Sequence, residues 1–310
     1  MRLLTFRTQP GHGLGALVDG AVLDLNAAFE RHMGGAFEDV EETFSLDMLS
    51  FLDLGERGVQ EAQKALDEAK RLLEEGENVY REGVLGRLSD VELAAPIPRP
   101  RKNIVCLGLN YADHAAEARR EPPDHPVFFT KPPTAVAGPY DDIIYPRATE
   151  RLDYEVELAF VIGKPGKYIS DGDAYDHIAG FTVFNDVSAR DLQRRHLQWF
   201  KGKSCDTFAP MGPWLVTADE VGDPMGLDMW LKVNGEARQS SNTGNMIFGI
   251  GKVLSVLSEG ITMEVGDIVA TGTPSGVGTT HPSGLLKMGD IVEAWIEGIG
   301  AIRNKVVAEG

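Results

Sequence analysis

Asp153-Tyr154-Glu155-Val156-Glu157-Leu158-Ala159-Phe160-Val161-Ile162 has the alternation of a strand. Successive side chains on a strand point to opposite faces, so Val156, Leu158, Phe160 and Ile162 make one wholly apolar face, and Glu155 and Glu157 point together to the other. Two carboxylates then share one small space, where like charges repel and raise one pKa unless a cation sits between them. A half-exposed strand with a solvated acidic face would carry the same letters. The E-x-E pattern alone leaves both readings open.

Downstream, Ile178 to Phe184 is a second apolar strand, and it runs directly into Asn185-Asp186. Joined to Glu155 and Glu157, Asp186 completes a three-carboxylate set without His or Cys. Such hard oxygen ligation suits Mg²⁺, Mn²⁺ or Ca²⁺ rather than zinc. By itself Asp186 also fits as the N-cap of a helix over Ala189 to Trp199.

Further strands are expected at Asn103 to Leu107, Trp214 to Thr217, Met229 to Val233, Ile268 to Thr271 and Ile291 to Ile296, with a clear helix only at Gly249 to Leu257. The 35 glycines imply many tight turns, and the fold class is a mixed, β-rich α+β. Residues 1–95 read as a small N-terminal α+β unit. It has a meander at Leu3 to Phe6, Gly15 to Val18 and Ala21 to Leu25, then a helix on Val59, Ala62, Leu66, Ala69 and Leu73 with Gly76 as its stop. The alternating prolines of Ala95-Pro96-Ile97-Pro98-Arg99-Pro100 interrupt regular structure, placing the catalytic domain at 96–310.

Composition narrows the function. Lys plus Arg total 30 against 47 Asp plus Glu, a net charge of -17, so nucleic acid and anionic membrane are not expected partners. The apolar run at the start, Leu3-Leu4, is too short for a signal peptide, and the two cysteines, Cys106 and Cys205, read as reduced thiols of a cytoplasmic protein. Lys201-Gly202-Lys203-Ser204 has Leu197 where a phosphate loop needs its leading Gly. Gly11-His12-Gly13-Leu14-Gly15 lacks dinucleotide-loop spacing, and the flanks of Thr271-Gly272-Thr273-Pro274-Ser275-Gly276-Val277-Gly278 hold no G-x-S-x-G elbow. That glycine-rich segment is either a plain connection or a loop whose amides hold a carboxylate.

In Gly108-Leu109-Asn110-Tyr111-Ala112-Asp113-His114-Ala115-Ala116-Glu117, a short helix over Tyr111 to Arg120 would put His114 and Glu117 on one face at i, i+3. The carboxylate could then orient the imidazole as a general base, although surface helices carry the same pair by chance.

Together these segments resemble the fumarylacetoacetate hydrolase family. The match runs in order through Gly-Leu-Asn-Tyr-Ala-Asp-His from Gly108, Phe-Phe-Thr-Lys-Pro from Phe128, Asp-Tyr-Glu-Val-Glu-Leu from Asp153, Asn-Asp-Val-Ser-Ala-Arg-Asp from Asn185, Gly-Lys-Ser-Cys-Asp from Gly202 and Thr-Gly-Thr-Pro-Ser-Gly-Val-Gly from Thr271. The resemblance implies a β-sandwich roll with Mg²⁺ or Mn²⁺ on Glu155, Glu157 and Asp186. It further implies Lys203 as the active-site lysine, His114 and Glu117 as a lid dyad, Arg190 and Gln193 as substrate-side groups, and Thr273 in a carboxylate-binding loop. Asp113 matches a position that ligates metal in some eukaryotic members. Pairing as a homodimer is also implied.

The expected substrate is a small 2-keto acid, chelated through one carboxylate oxygen and the keto oxygen, with Lys131, Lys203 and Arg190 supplying local positive charge. Water deprotonated by His114 would then cleave a C–C bond of an acylpyruvate. The alternatives are decarboxylation of an oxaloacetate-like acid, isomerisation of a dienoic diacid, or a catalytically silent protein on the same fold.

Overall fold

The computed structural model describes residues 1–9, 11–32, 46–74, 84–117 and 121–310. The chain begins with β1 (Arg2–Thr8), β2 (Gly11–Val18) and β3 (Ala21–Asp24), then α1 (Leu25–His32), α2 (Met48–Asp53), α3 (Gly55–Glu74) and β4 (Leu85–Arg87). The three strands are the expected meander. In α3 the apolar spacing works as read, since Ala62, Leu66 and Ala69 are buried, although Val59 is exposed. Gly76, expected to stop this helix, lies outside the described residues. The short α2 was not expected; Asp47 caps it by accepting the Ser50 N–H at 2.7 Å.

After the prolines come β5 (Ile104–Gly108), α4 (Ala112–Glu117), β6 (Val127–Lys131), β7 (Val136–Ala137), β8 (Ile143–Tyr145) and β9 (Leu152–Asp153). The middle of the chain supplies β10 (Val156–Ile162), β11 (Ile178–Asn185), β12 (Ser188–Ala189), α5 (Arg190–Arg195), α6 (Phe200–Lys203) and β13 (Ala209–Thr217). Last come α7 (Ala218–Val221), β14 (Asp228–Val233), β15 (Glu236–Asn242), α8 (Ile250–Ser258), β16 (Ile268–Ala270), β17 (Ile291–Ile296) and β18 (Gly300–Ala308).

Among the described residues a large sheet runs in the order β4-β3-β2-β1-β13-β11-β10-β16-β5-β6, with β7 alongside β13, and a second, five-stranded sheet runs β15-β14-β17-β18-β8. The N-terminal meander joins the large sheet through antiparallel pairing of β1 with β13, Leu3 opposite Leu215. The expected strand-rich α+β class is what forms. Strand β10 lies between β11 and β16, both antiparallel to it. All seven of its residues are buried, so the half-exposed acidic strand is not what forms.

The β10–β11 register pairs Val156 with Asn185 and Glu157 with Phe184. It brings Glu155 beside Asp186, whose N–H donates to the Glu155 carbonyl at 2.8 Å. Two helix expectations change here. The helix expected over Ala189 to Trp199 is shorter, α5 ending at Arg195, because Leu197 takes a left-handed φ of 58°, which a helix cannot continue through. Ala189, not Asp186, is the N-cap of α5. The expected helix at Tyr111 to Arg120 is α4, with residues 118–120 outside those described. No helix among the described residues is long and apolar enough to cross a membrane.

Candidate active site

Glu157 projects from β10, Glu155 immediately precedes it, and Asp186 immediately follows β11. Ligand oxygens of the three lie within 4.8 Å of one another, and all three side chains are buried. The backbone holds this arrangement, since Asn185 Oδ1 accepts the Glu155 N–H at 3.0 Å. Three buried cations surround it. Lys203 Nζ donates to Glu155 Oε2 at 2.6 Å and Asp186 Oδ2 at 2.5 Å. Arg190 donates from Nη2 to Glu155 Oε1 at 2.6 Å and from Nε to Asp153 Oδ2 at 2.7 Å. Lys131 Nζ pairs with Asp186 Oδ1 at 2.7 Å and donates to the carbonyl oxygens of Val187 and Lys203.

Charge is not balanced within the cluster. Asp153, Glu155, Glu157 and Asp186 are four buried carboxylates against the three cations Lys131, Arg190 and Lys203. Burial works against the charge of Glu155, but Arg190 and Lys203 overcome it and hold its carboxyl well below the ordinary value. Glu157 goes the other way. Burial, then the neighbouring charges of Asp186 and Glu155, push its carboxyl well above the ordinary value, and the Gly272 N–H donated to Oε2 at 2.9 Å only partly offsets this. A divalent cation among the three oxygens would relieve that excess, and an all-oxygen donor set fits a hard ion such as Mg²⁺ or Mn²⁺. The triad could therefore hold a metal.

A cavity of about 540 Å³ opens over the cluster, lined by Glu155, Glu157, Arg190, Gln193, Lys203 and Thr273 and also by His114 and Glu117. Trp199 closes one side edge-on to Phe129, centroids 5.4 Å apart. Gly108 permits this packing, because a Cβ there would sit 2.2 Å from Trp199 Cζ3. On α4, His114 Nδ1 lies 3.5 Å from Glu117 Oε2, the separation of an ion pair rather than of a hydrogen bond. The helix is docked on the glycine-rich loop. Glu117 accepts the Gly276 N–H at 3.1 Å and Asp113 Oδ2 accepts the Ser275 hydroxyl at 2.8 Å.

Most of the expected site residues thus meet at one cavity, with three adjustments. Lys131 is wholly buried behind Asp186 and does not line the cavity, so it positions that carboxylate instead of meeting substrate. Asp113 is exposed, held by Ser275, and lies outside the triad. The Thr273 hydroxyl is engaged with the Val156 carbonyl at 2.8 Å, which locks the loop to β10. Three positioning residues escaped the sequence reading. Asp153 receives the N–H of Gly278 at 2.6 Å as well as Arg190, and buried Asn110 bridges Phe248 and Thr271. Gln239 donates to Thr273 Oγ1 at 2.8 Å and accepts the Val156 N–H at 3.0 Å. Asp153 and Asn110 stood inside the quoted motifs; Gln239 lies in a polar strand with no motif around it.

Comparison with known proteins places the chain in a family. A family model described as fumarylacetoacetate (FAA) hydrolase C-terminal matches residues 103–307. The chain is similar to the mitochondrial oxaloacetate tautomerase FAHD2A of Bos taurus, 44% identical over 99% of this chain and 92% of the relative. It is 51% identical to the oxaloacetate tautomerase YisK of Bacillus subtilis (strain 168) over 71% of this chain and 74% of the relative. Among solved structures it is similar to a fumarylacetoacetate hydrolase of Exiguobacterium antarcticum, with 35% identity, TM-score 0.79 and full coverage of both chains. It also resembles a maleylpyruvate hydrolase from Sphingobium sp. SYK-6 in complex with manganese(II) and pyruvate, with 29% identity, TM-score 0.76 and full coverage of both.

Proposed function

The chain belongs to the fumarylacetoacetate hydrolase family, a family of enzymes, and from that premise we propose that it interconverts the keto and enol forms of oxaloacetate or a closely related 2-oxo diacid. The observation that carries this reading is that His114 and Glu117 line the same cavity as Glu155, Glu157 and Lys203, with Asp186 completing the buried triad. The relatives named as oxaloacetate tautomerases, which match 99% of the chain in FAHD2A, support it.

Glu155, Glu157 and Asp186 would hold Mg²⁺ or Mn²⁺, which when bound supplies Lewis acidity to the C2 oxygen and the adjoining carboxylate of the substrate. His114 accepts a proton from C3, the C–H electron pair becomes the C2–C3 double bond as the C2=O π pair moves onto oxygen, and the His114 imidazolium gives its proton to that oxygen; the reverse sequence restores the ketone. Glu117 stabilises the imidazolium that forms in between. Lys203 keeps positive charge at the cavity floor, where the C2 oxygen gains negative charge. Gln193 accepts an Arg190 N–H on its Oε1 at 3.2 Å, so its amide NH₂ is left to donate to a substrate oxygen.

Hydrolysis of an acylpyruvate is the second reading. It is supported by the intact His114–Glu117 pair, which could equally deprotonate water, and by the likeness to the maleylpyruvate hydrolase. Product analysis by NMR on oxaloacetate and an acylpyruvate, side by side with added Mg²⁺ or Mn²⁺, separates the two. Tautomerisation interconverts enol and ketone and leaves every carbon skeleton intact, whereas hydrolysis yields pyruvate and a carboxylic acid.

A further inference from the structure

A 2-oxo diacid carries two carboxylates, and the buried cluster can account for only one end of it. Arg190 is tied to Asp153 and Glu155, Lys203 is tied to Glu155 and Asp186, and Lys131 is fully enclosed. Arg194 differs from all three. It lines the same cavity, it is exposed, and among the described residues its guanidinium has no hydrogen-bond or ion-pair partner.

We propose that Arg194 is a specificity-determining residue that binds the distal, C4 carboxylate of the substrate and so selects 2-oxo diacids over 2-oxo monoacids. This rests on the tautomerase reading and names the group that would enforce its substrate class. Arg190 and Arg194 lie one turn apart on α5, about 6 Å along the helix axis. Arg190 contacts the triad, while Arg194 is exposed and lines the cavity. Three C–C bonds separate the two carboxyl carbons of a four-carbon diacid, about 4 Å when extended, so a molecule bound at the triad by its C1 end presents its C4 end within reach of a long guanidinium side chain. The planar fork of Arg matches a carboxylate in bidentate fashion, which an ammonium cannot do. The neighbouring Arg195 is exposed but does not line the cavity, which makes it the control.

The test is calorimetric binding, with Mg²⁺ present, of malate and lactate, two 2-hydroxy acids that differ in the distal carboxylate. The wild type should bind malate more tightly. Arg194→Met should weaken malate by about 10- to 100-fold, the effect of losing a charge-assisted hydrogen bond, and leave lactate unchanged. Arg194→Lys should restore part of the loss, and Arg195→Met should behave as wild type. Equal affinity of the wild type for both acids, or an equal loss of both in Arg194→Met, would overturn the proposal. Because no turnover is read, failure of oxaloacetate tautomerisation in the wild type would sink the activity without touching this outcome.

Discussion

Both carboxylate oxygens of Glu117 accept the backbone N–H of Gly276, each at 3.1 Å. The same loop gives the Gly272 N–H to Glu157. One glycine-rich segment therefore fixes the partner of His114 and a triad carboxylate, so the His114–Glu117 pair and the candidate metal site share a support.

Gly276 is required at that point in two ways. Its φ is 101°, a conformation that L side chains rarely adopt, and a Cβ there would lie 2.1 Å from the Arg238 carbonyl oxygen. Gly276→Ala should cost about 1 to 3 kcal/mol in stability and lower kcat by displacing Glu117. Urea unfolding and steady-state kinetics on the same preparation check both effects; an unchanged kcat would break the link between loop and dyad.

Acid should reveal the anchoring of Glu117. Burial opposes its ionisation, but His114, the Thr280 hydroxyl and the Gly276 amide together hold its carboxyl below the ordinary value. A carboxyl lowered on folding stabilises the protein above its unfolded value of about 4.3 and loses that contribution as pH falls through the folded value. The stability gap between wild type and Glu117→Gln should be constant near neutral pH and shrink in acid below that unfolded value. A gap that persists undiminished in urea titrations in strong acid would contradict the assignment.

Glu157→Gln should separate metal affinity from folding. Its carboxyl is held well above the ordinary value by burial and by Asp186 and Glu155, so neutralising it should leave the metal-free protein at least as stable as wild type near neutral pH. Mn²⁺ affinity, measured by calorimetry, should drop by about 100-fold or more, beyond what loss of an outer-shell partner gives. Undiminished Mn²⁺ binding would remove Glu157 from the ligand set.

Lys203→Met leaves Glu155 Oε2 and Asp186 Oδ2 without the ammonium that now lies 2.6 and 2.5 Å away. Breaking a buried ion pair from one side costs about 3 to 5 kcal/mol, and loss of an electrostatic stabiliser costs roughly 10² in kcat. Thermal melting and kcat should both fall. A variant that melts and turns over as wild type does would reduce Lys203 to a bystander.

Much of this arrangement could be read from letters because Glu157 lies on, and Glu155 and Asp186 lie directly beside, two strongly apolar strands. Val156 to Ile162 and Ile178 to Phe184 fix register by their apolar faces, and register alone brings Glu155 to Asp186. Where tertiary contacts decide, the letters were weak. Strand β18 carries Asn304 on its buried face, tied to the carbonyl oxygens of Gly138 and Asp141, which interrupts the apolar pattern that would have announced it. Strand β15 has almost no apolar residues, yet Asn234-Gly235 before it, with φ values of 52° and 80°, is a strong hairpin signal that could have located it. The functions of Lys131 and Arg194 were not separable by type: both are basic and near a motif, and only burial shows that one supports Asp186 and the other faces the cavity.

The decisive measurement is the decay of enol-oxaloacetate absorbance in weakly catalytic buffer, with the carbon products followed in the same sample. With Mn²⁺ added, decay should accelerate in proportion to enzyme concentration, oxaloacetate should be recovered intact, and both His114→Ala and chelator treatment should slow the reaction by about 100-fold. Enol decay at the uncatalysed rate, while the same enzyme releases pyruvate from an acylpyruvate, would contradict the tautomerase account and leave hydrolysis as the function of the site.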